Sequence, residues 1–153
     1  MSSVLFSSWG GEVIGSSGPH AVPVEIEVLT FPAEFEKGRE LKAFMGWDGI
    51  VFRNGSVNIV DMCREYMKKA QMESCGQCTP CREGTGWMHR VVHRIESGQG
   101  RPEDLDLLDD VANKIMGRTI CALGDAAAMP VASFVKHFRD EFQYHIDHKK
   151  CMV

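Results

Sequence analysis

Three cysteines in one short segment are the residues of this chain best suited to chemistry. Cys75, Cys78 and Cys81 form a C-x2-C-x2-C pattern, and 39 residues separate the third of them from Cys121. Thiols spaced this closely are typical of a metal site in a reducing compartment rather than of a disulfide framework. The sequence therefore predicts that these four cysteines bind a metal centre.

The spacing of the cysteines bears on which metal is bound. Structural zinc usually takes two separated C-x2-C pairs, or a mixture of Cys and His ligands. Three close thiolates with a remote fourth suit a cubane, while the plant-type [2Fe-2S] pattern opens with a longer C-x4-C gap. The pattern favours a [4Fe-4S] cluster, and zinc or four cysteines without a metal remain as alternatives.

Five residues beside the triplet are predicted to surround the cluster. Gly76 allows a tight backbone turn and Pro80 stiffens the loop. Arg82 either offsets the charge of the cluster or pairs with an acid such as Glu83. The full set is Ser74, Gly76, Thr79, Pro80 and Arg82.

Two histidine patterns are weaker candidates for metal binding. His89 and His93 stand four residues apart, but the HExxH glutamate is absent and arginines flank the pair, so we expect an exposed basic face. His145, His148 and Cys151 form an H-x2-H-x2-C pattern near the C-terminus. This second pattern is a minor candidate for a further metal.

The composition sets the broad class of the protein. With 153 residues, 44% hydrophobic and 25% charged, the chain fits one domain, or a small domain with an N-terminal appendage. The net charge of −4 argues against a non-specific nucleic-acid binder. No apolar run is long enough to cross a bilayer, and the first basic residue is Lys37, so a signal peptide is not indicated. We expect a cytoplasmic protein.

Residues 1–56 are predicted to be a short β-rich segment. Val24, Ile26 and Val28 alternate with polar residues as in a strand that is half buried. A short helix is expected over residues 34–45, and Asn54-Gly55 between apolar runs indicates a hairpin turn.

Residues 57–153 are predicted to be a helical [4Fe-4S]-binding domain. Asn58 is a candidate N-cap for the first helix, and Pro102 is expected in the first turn of the third. The second helix follows the cysteine triplet, and the fourth is expected over residues 125–148. The predicted fold is mainly α, a four-helix bundle iron–sulfur domain with a small N-terminal β-rich segment. Cys63 and Trp87 lie on apolar helical stripes and are predicted to be core residues.

Several catalytic and nucleotide-binding patterns are absent from the sequence. There is no G-x-G-x-x-G, no Walker A motif and no Gly-rich loop between a strand and a helix. No credible nucleophile–base pair is present either. The residues alone therefore indicate a one-electron cluster carrier rather than an enzyme acting alone.

Two segments carry a resemblance to a known family. SCGQCTPCREGT at residues 74–85 and GRTICALGDAAA at residues 117–128 resemble the C-terminal iron–sulfur domain of the NADH-binding flavoprotein subunit of respiratory complex I. Related subunits occur in NAD-linked hydrogenases and formate dehydrogenases, and the resemblance begins near residue 50. It implies a four-helix domain that binds one [4Fe-4S] cluster through the four cysteines. It also implies that single electrons pass from reduced FMN through this cluster to further clusters.

The chain departs from this family at its N-terminal side. The long domain with the FMN and NADH loop is missing, and residues 4–55 are expected to be a reduced remnant of a β module. FMN and NAD are therefore not expected on this chain. The expected partners are flavin- and iron–sulfur-containing subunits of a larger redox complex, with this chain as its electron-transfer subunit or fragment. The alternative is a zinc- or cluster-stabilised docking module without redox turnover.

Overall fold

The structure, a computed structural model, describes residues 2–4, 6–9, 12–15, 24–26, 43–46, 49–52 and 57–152. The chain divides into two compact units: Met1–Val57 together with Val153, and Asn58–Met152. The described residues of the first unit form strands, and those of the second form helices. The described chain is mainly helical, as the sequence predicts.

The first unit contains antiparallel strands. They are β1 Ser2–Val4, β2 Phe6–Trp9, β3 Glu12–Gly15, β4 Val24–Ile26, β5 Ala43–Gly46 and β6 Gly49–Phe52. One sheet pairs β1 with β4, and a second has the order β3-β2-β6-β5. The strand predicted at Val24 and Ile26 is confirmed in β4. Val28 and the predicted Asn54-Gly55 turn lie outside the described residues.

The prediction of a helix over residues 34–45 is wrong for the C-terminal end of that range. Ala43–Gly46 is strand β5, in which Phe44 pairs with Val51 of β6. Pairing with a neighbouring strand overrides the local helical tendency here. Residues 34–42 lie outside the described residues.

The second unit contains five α-helices in its described residues. They are α1 Ile59–Glu73, α2 Thr79–Arg94, α3 Asp104–Ile115, α4 Leu123–His137 and α5 Arg139–His148. A π-helical turn, Ile95–Gln99, continues α2. The predicted N-cap of α1 is confirmed, because Asn58 Oδ1 accepts a hydrogen bond of 3.0 Å from the Asp61 amide. In the described part of the chain, no helix combines the length and apolar composition needed to cross a bilayer.

The helix predicted over residues 125–148 is two helices, so the predicted count of four is wrong for this unit. Phe138 has φ −123° and ψ 25°, which ends α4, and its carbonyl accepts a 3.0 Å bond from the Glu141 amide at the start of α5. The Phe138 side chain is buried. The apolar pattern therefore continues across the break, which explains why the sequence resembles one helix.

Pro130 lies inside α4 rather than at its first turn. A proline has no N–H and leaves the carbonyl four residues before it without its helical partner. In α4 that carbonyl belongs to Ala126, and it accepts a hydrogen bond from the Tyr66 hydroxyl of α1. The side chain of one helix thus satisfies the backbone of another, which joins α1 to α4.

The third helix begins later than the sequence indicates. Pro102 precedes α3, which starts at Asp104. The Asp104 side chain is fully buried and accepts hydrogen bonds from Arg94 Nε at 3.0 Å and from the Arg101 amide at 2.9 Å. A buried carboxylate with these partners fixes the connection between α2 and α3 and decides where α3 starts.

The core of the second unit contains side chains from all five helices. Its largest fully buried apolar members include Met67, Met88, Ile95, Leu105, Leu108, Phe134 and Phe142. The prediction that Trp87 is a core anchor is wrong, because Trp87 is 56% exposed. Met88 takes the core-facing position of α2, and the neighbouring residue therefore points away from the core.

Candidate metal centre

The cysteine triplet lies where α1 ends and α2 begins. Cys75 follows the C-cap of α1, and Cys78 is the N-cap of α2 with φ −91° and ψ 123°. Pro80 is the second residue of α2, where a missing N–H costs no helical bond. Cys81 follows it, buried, whereas Cys75 is exposed. The start of one helix therefore positions two of the three thiols.

Gly76 and Arg82 hold the shape of the triplet loop. Gly76 has φ +82°, a left-handed conformation that favours glycine. The Arg82 guanidinium donates to the Gly76 carbonyl at 2.7 Å and to Glu83 Oε1 at 2.9 Å. Arg82 therefore pairs with the acid named from the sequence and also fastens the loop to α2.

Two hydrogen-bonding groups contact the sulfur atoms of the triplet. Ser74 Oγ lies 3.3 Å from Cys81 Sγ, and the Ile120 amide donates to Cys78 Sγ at 3.4 Å. Ile120 directly precedes Cys121 in the sequence. This amide therefore brings the loop of the remote cysteine against the triplet.

The loop that carries Cys121 connects α3 to α4. Thr119 Oγ1 donates to the Cys121 carbonyl at 2.8 Å. A Cβ at Gly124 would lie 2.5 Å from the Thr119 side chain, so only glycine fits this approach. Asp125 Oδ1 accepts a 2.7 Å bond from the Gly117 amide at the other end of the loop. Contacts at both ends therefore fix a loop whose cysteine is exposed.

The N-termini of two long helices face the cysteine loops. Cys78 caps α2, and Cys121 immediately precedes Ala122, the N-cap of α4. The N-terminus of a helix carries partial positive charge and unpaired N–H groups. Both features favour negatively charged thiolates, so the backbone contributes to the electrostatics of the site.

The donor set suits an iron–sulfur cluster. Thiolates are the protein ligands of such clusters, and N–H or O–H groups near the sulfurs stabilise their charge. The four cysteines are the candidate thiolate ligands, and the Ser74 hydroxyl and the Ile120 amide are N–H or O–H groups that lie beside two of their sulfurs. In the described part of the chain, no three His, Cys, Asp or Glu side chains lie close enough together to hold a single metal ion, and this includes the four cysteines.

Three contributors to the site are missing from the sequence-based prediction. They are the Ile120 amide, Thr119, and Thr85, which is fully buried and donates to the Cys81 carbonyl at 2.7 Å. Thr85 lies four residues after Cys81, a spacing at which a helical threonine can donate to the backbone carbonyl. The sequence therefore contained the information needed to predict this contact. The Ile120 amide carries no sequence signal, because every residue but proline has one.

Cys63 is a core residue, as predicted. Its side chain is fully buried in α1, and burial raises the pKa of its thiol. The rings of His89 and His93 lie 6.2 Å apart between centroids. His93 is exposed, while His89 is half-buried, and burial together with the neighbouring His93 lowers the pKa of His89. The expected exposed basic face therefore holds for His93 but only in part for His89.

The C-terminal histidines do not come together. His145 is 2% exposed, and burial lowers its pKa, partly opposed by Glu96. His148 is exposed and stacks on Tyr144 with ring centroids 4.1 Å apart. One imidazole faces the core and the other the surface, so they do not form one metal site.

Comparison with known proteins decides the family. Residues 61–145 match the family model described as the NADH-ubiquinone oxidoreductase-F iron–sulfur binding region. The chain belongs to this family. The oxidoreductase-F iron–sulfur region binds a [4Fe-4S] cluster, so the cofactor predicted from the cysteine spacing is confirmed, as is the resemblance seen in the sequence.

Relatives of the oxidoreductase-F region share much of its sequence. The chain is 38% identical over 137 residues to the NADH-quinone oxidoreductase-F subunit of Mycobacterium bovis, covering 90% of this chain and 30% of that protein. It is also 38% identical over 138 residues to the mitochondrial NADH dehydrogenase [ubiquinone] flavoprotein 1 of Dictyostelium discoideum, covering 89% of this chain and 28% of that protein. The chain thus spans less than a third of the length of these relatives.

Two solved structures share its fold. Both are of NAD+-reducing [NiFe]-hydrogenase. The air-oxidised form matches with a TM-score of 0.64 at 22% identity, covering 96% of this chain and 24% of that chain. The H2-reduced form matches with a TM-score of 0.59 at 28% identity, covering 63% of this chain and 17% of that chain.

Proposed function

We propose that this chain relays single electrons within a multi-subunit NADH-linked oxidoreductase. One [4Fe-4S] cluster would be held by Cys75, Cys78, Cys81 and Cys121. The observation that carries the proposal is the hydrogen bond from the Ile120 amide to Cys78 Sγ. It connects the two cysteine loops although 42 positions separate the bonded residues.

The residues around the cysteines have distinct roles in this proposal. When bound, a [4Fe-4S] cluster supplies one-electron chemistry without forming a bond to a substrate. The Ser74 hydroxyl and the Ile120 amide stabilise the negative charge on the ligand sulfurs. Thr79 and Pro80 begin α2 and direct Cys81 inward, and Arg82 holds the Gly76 turn. The chain sets the electron affinity of the centre and its distance from solvent.

The two parts of the chain have different tasks in this proposal. Residues 57–153 form the cluster-binding domain, which contains all four proposed ligands. Residues 1–56 form an accessory β-rich segment. No part of the proposed electron path requires a nucleotide loop on this chain.

The electron partners are inferred from the relatives of the chain. The first of them is named as a subunit of an NADH-quinone oxidoreductase. We place FMN and NAD on a partner subunit, so that hydride chemistry occurs there and electrons reach the cluster singly. Flavin- and iron–sulfur-containing subunits are the partners, and the cytoplasm, which keeps thiols reduced, is the proposed compartment.

Substitution of the ligands tests the proposal. Anaerobic reconstitution of Cys121→Ala should lose iron and sulfide relative to the wild type, because alanine has no atom that can bind iron. Cys151→Ser is the matched control and should retain the wild-type cluster content. An unchanged cluster in Cys121→Ala would show that the fourth ligand is assigned wrongly.

A further inference from the structure

Cys121 is the one proposed cluster ligand that lies outside the triplet. Its loop connects Met116, the C-cap of α3, to Leu123, the first residue of α4. Cys121 is exposed, whereas Cys81 of the triplet is buried in the helical unit. Burial therefore does not fix the fourth thiol, and its position depends on the hydrogen bonds of the loop.

Asp125 makes a hydrogen bond that joins the two ends of this loop. It is half-buried in the first turn of α4, and its Oδ1 accepts a 2.7 Å bond from the Gly117 amide, eight positions earlier. A glutamate or glutamine at the third position of a helix often bonds back to the N-cap amide instead. Gly117 directly follows the C-cap of α3 and has φ +69°. One carboxylate oxygen therefore connects the end of α3 to the start of α4.

Two other hydrogen bonds each act on only one part of the loop. The Arg118 guanidinium donates to the Asn113 carbonyl at 2.6 Å, which fastens the start of the loop to α3. Thr119 Oγ1 donates to the Cys121 carbonyl at 2.8 Å, a bond within the loop. The Asp125 bond, in contrast, spans the loop from one helix to the next. Asp125 is therefore well placed to set the position of the loop as a unit.

We propose that Asp125 is a positioning residue for Cys121. By fixing the span from Gly117 to α4, it holds the loop where the Ile120 amide donates to Cys78 Sγ at 3.4 Å. Cys121 directly follows Ile120 in the chain and is thereby kept beside the triplet. The inference rests on the proposed function, because it concerns the ligand set of the proposed cluster.

The acceptor oxygen of Asp125, rather than its charge, carries this role. The thiolates of a cluster site are negatively charged, so a further negative charge nearby would oppose them. A hydrogen bond from an amide needs only an acceptor, which asparagine also has in its Oδ1. Asp125→Asn should therefore behave as the wild type, whereas Asp125→Ala, which has no acceptor, should release the loop.

Hydrogen exchange at the Ile120 amide tests the position of the loop without reference to a cluster. In the full chain as purified, Asp125→Ala should make this amide exchange about tenfold faster, because the contact that orders the loop is lost. Asp125→Asn should leave the exchange rate at the wild-type value. Circular dichroism should show wild-type helix content in both variants. An Ile120 rate that is equal in Asp125→Ala and the wild type, or an Asp125→Ala chain that loses its helices, overturns the proposal.

Alkylation of the chain with its cluster tests the effect on the ligand. A free thiolate displaces iodide from iodoacetamide, whereas a thiolate bound to iron is protected. In Asp125→Ala we expect Cys121 to be alkylated at least about tenfold faster than in the wild type, while the triplet stays protected. Asp110→Ala is the matched control, because the Asp110 carboxylate is exposed on α3 and pairs with Lys114 outside the loop. Its four cysteines should be protected as in the wild type.

The outcomes separate this inference from the proposed function. A wild-type chain that binds no iron would contradict the proposed function, and the Ile120 exchange rates would still decide the role of Asp125. If the wild type holds its cluster and Cys121 is equally protected in Asp125→Ala, only the positioning role is overturned. Equal effects of Asp125→Asn and Asp125→Ala, or loss of protection at all four cysteines together, would also overturn it.

Discussion

In the proposed cluster site, hydrogen bonds to the cysteine sulfurs control how readily the cluster gains an electron. A donor near a ligand sulfur stabilises the more negative, reduced state. The Ile120 amide belongs to the backbone and is not removed by changing a side chain. Ser74 Oγ lies 3.3 Å from Cys81 Sγ. Its hydroxyl is the donor when Cys81 is a thiolate ligand, and substitution can delete it.

Ser74→Ala should lower the reduction potential of the cluster. One hydrogen bond contributes about 1 kcal/mol, which for one electron corresponds to a decrease on the order of 40 mV. A redox titration followed by electron paramagnetic resonance measures the shift. Ser74→Thr keeps the hydroxyl and should have nearly the wild-type potential. Equal potentials in Ser74→Ala and the wild type would mean that Ser74 does not influence the cluster.

At the scale of elements, the site depends on the start of α2 and on the contacts that hold α2 in place. The far end of this helix is joined to α3 by the buried Asp104, which accepts hydrogen bonds from Arg94 and from the Arg101 amide. If a buried carboxylate loses its charge, the positive charge of its partner is left uncompensated. The connection after α2 is therefore part of the support of the cysteine loop at its start.

Asp104→Asn should decrease the free energy of unfolding by about 3 kcal/mol, because it breaks a buried ion pair. Asp106→Asn is the matched control, since its ion pair with Arg139 is exposed and should contribute less than about 1 kcal/mol. Urea unfolding under anaerobic conditions measures both. Similar small losses in the two variants would contradict a supporting role for Asp104.

Glu141 joins α5 to the start of α1. Its carboxylate accepts a hydrogen bond from the Ile59 amide, but burial dominates and raises the pKa of Glu141 from 4.5 to about 7. The folded chain therefore keeps this proton up to about pH 7, whereas the unfolded chain loses it above pH 4.5. Since the folded state binds more protons between these values, the stability contribution of Glu141 falls as pH rises from 4.5 to about 7.

Glu141→Gln should remove this part of the pH dependence. The free energy of unfolding of the wild type relative to the variant should fall as pH rises from 4.5 to about 7. At higher pH this difference should be constant. Urea unfolding at several pH values measures the difference. A difference that is the same at all pH values would show that Glu141 titrates normally.

Local patterns predicted more of the structure than distant contacts did. The Asn58 cap and the cysteine spacing involve residues a few positions apart, and both indicated their structures correctly. The break at Phe138 interrupts a helix without interrupting its apolar pattern, so periodicity did not reveal it. The exposure of Trp87 depends on how α2 is rotated against α3, which the pattern of one helix does not determine.

The site shows the same division. Gly76 and Arg82 neighbour the cysteines in sequence, and the tight turn at Gly76 and the pairing of Arg82 with Glu83 followed from that. The bond from Arg82 to the Gly76 carbonyl did not. The Ile120 amide reaches Cys78 only after α3 and α4 have packed against α2. That contact is a property of the folded unit, so the sequence predicted Cys121 as a candidate ligand but not the group that places its loop.

At the scale of the whole molecule, the chain is one helical cluster-binding unit joined to a smaller unit of strands. It spans about 30% of the length of the relative from Mycobacterium bovis.

A reductive titration of the reconstituted chain, with iron and sulfide analysis of the same sample, tests the central claim most directly. We expect about four irons and four sulfides per chain, and a paramagnetic signal that grows with one electron per chain. A colourless anaerobic protein with one zinc per chain and no signal after dithionite would contradict it. That result would identify a structural module instead of an electron relay.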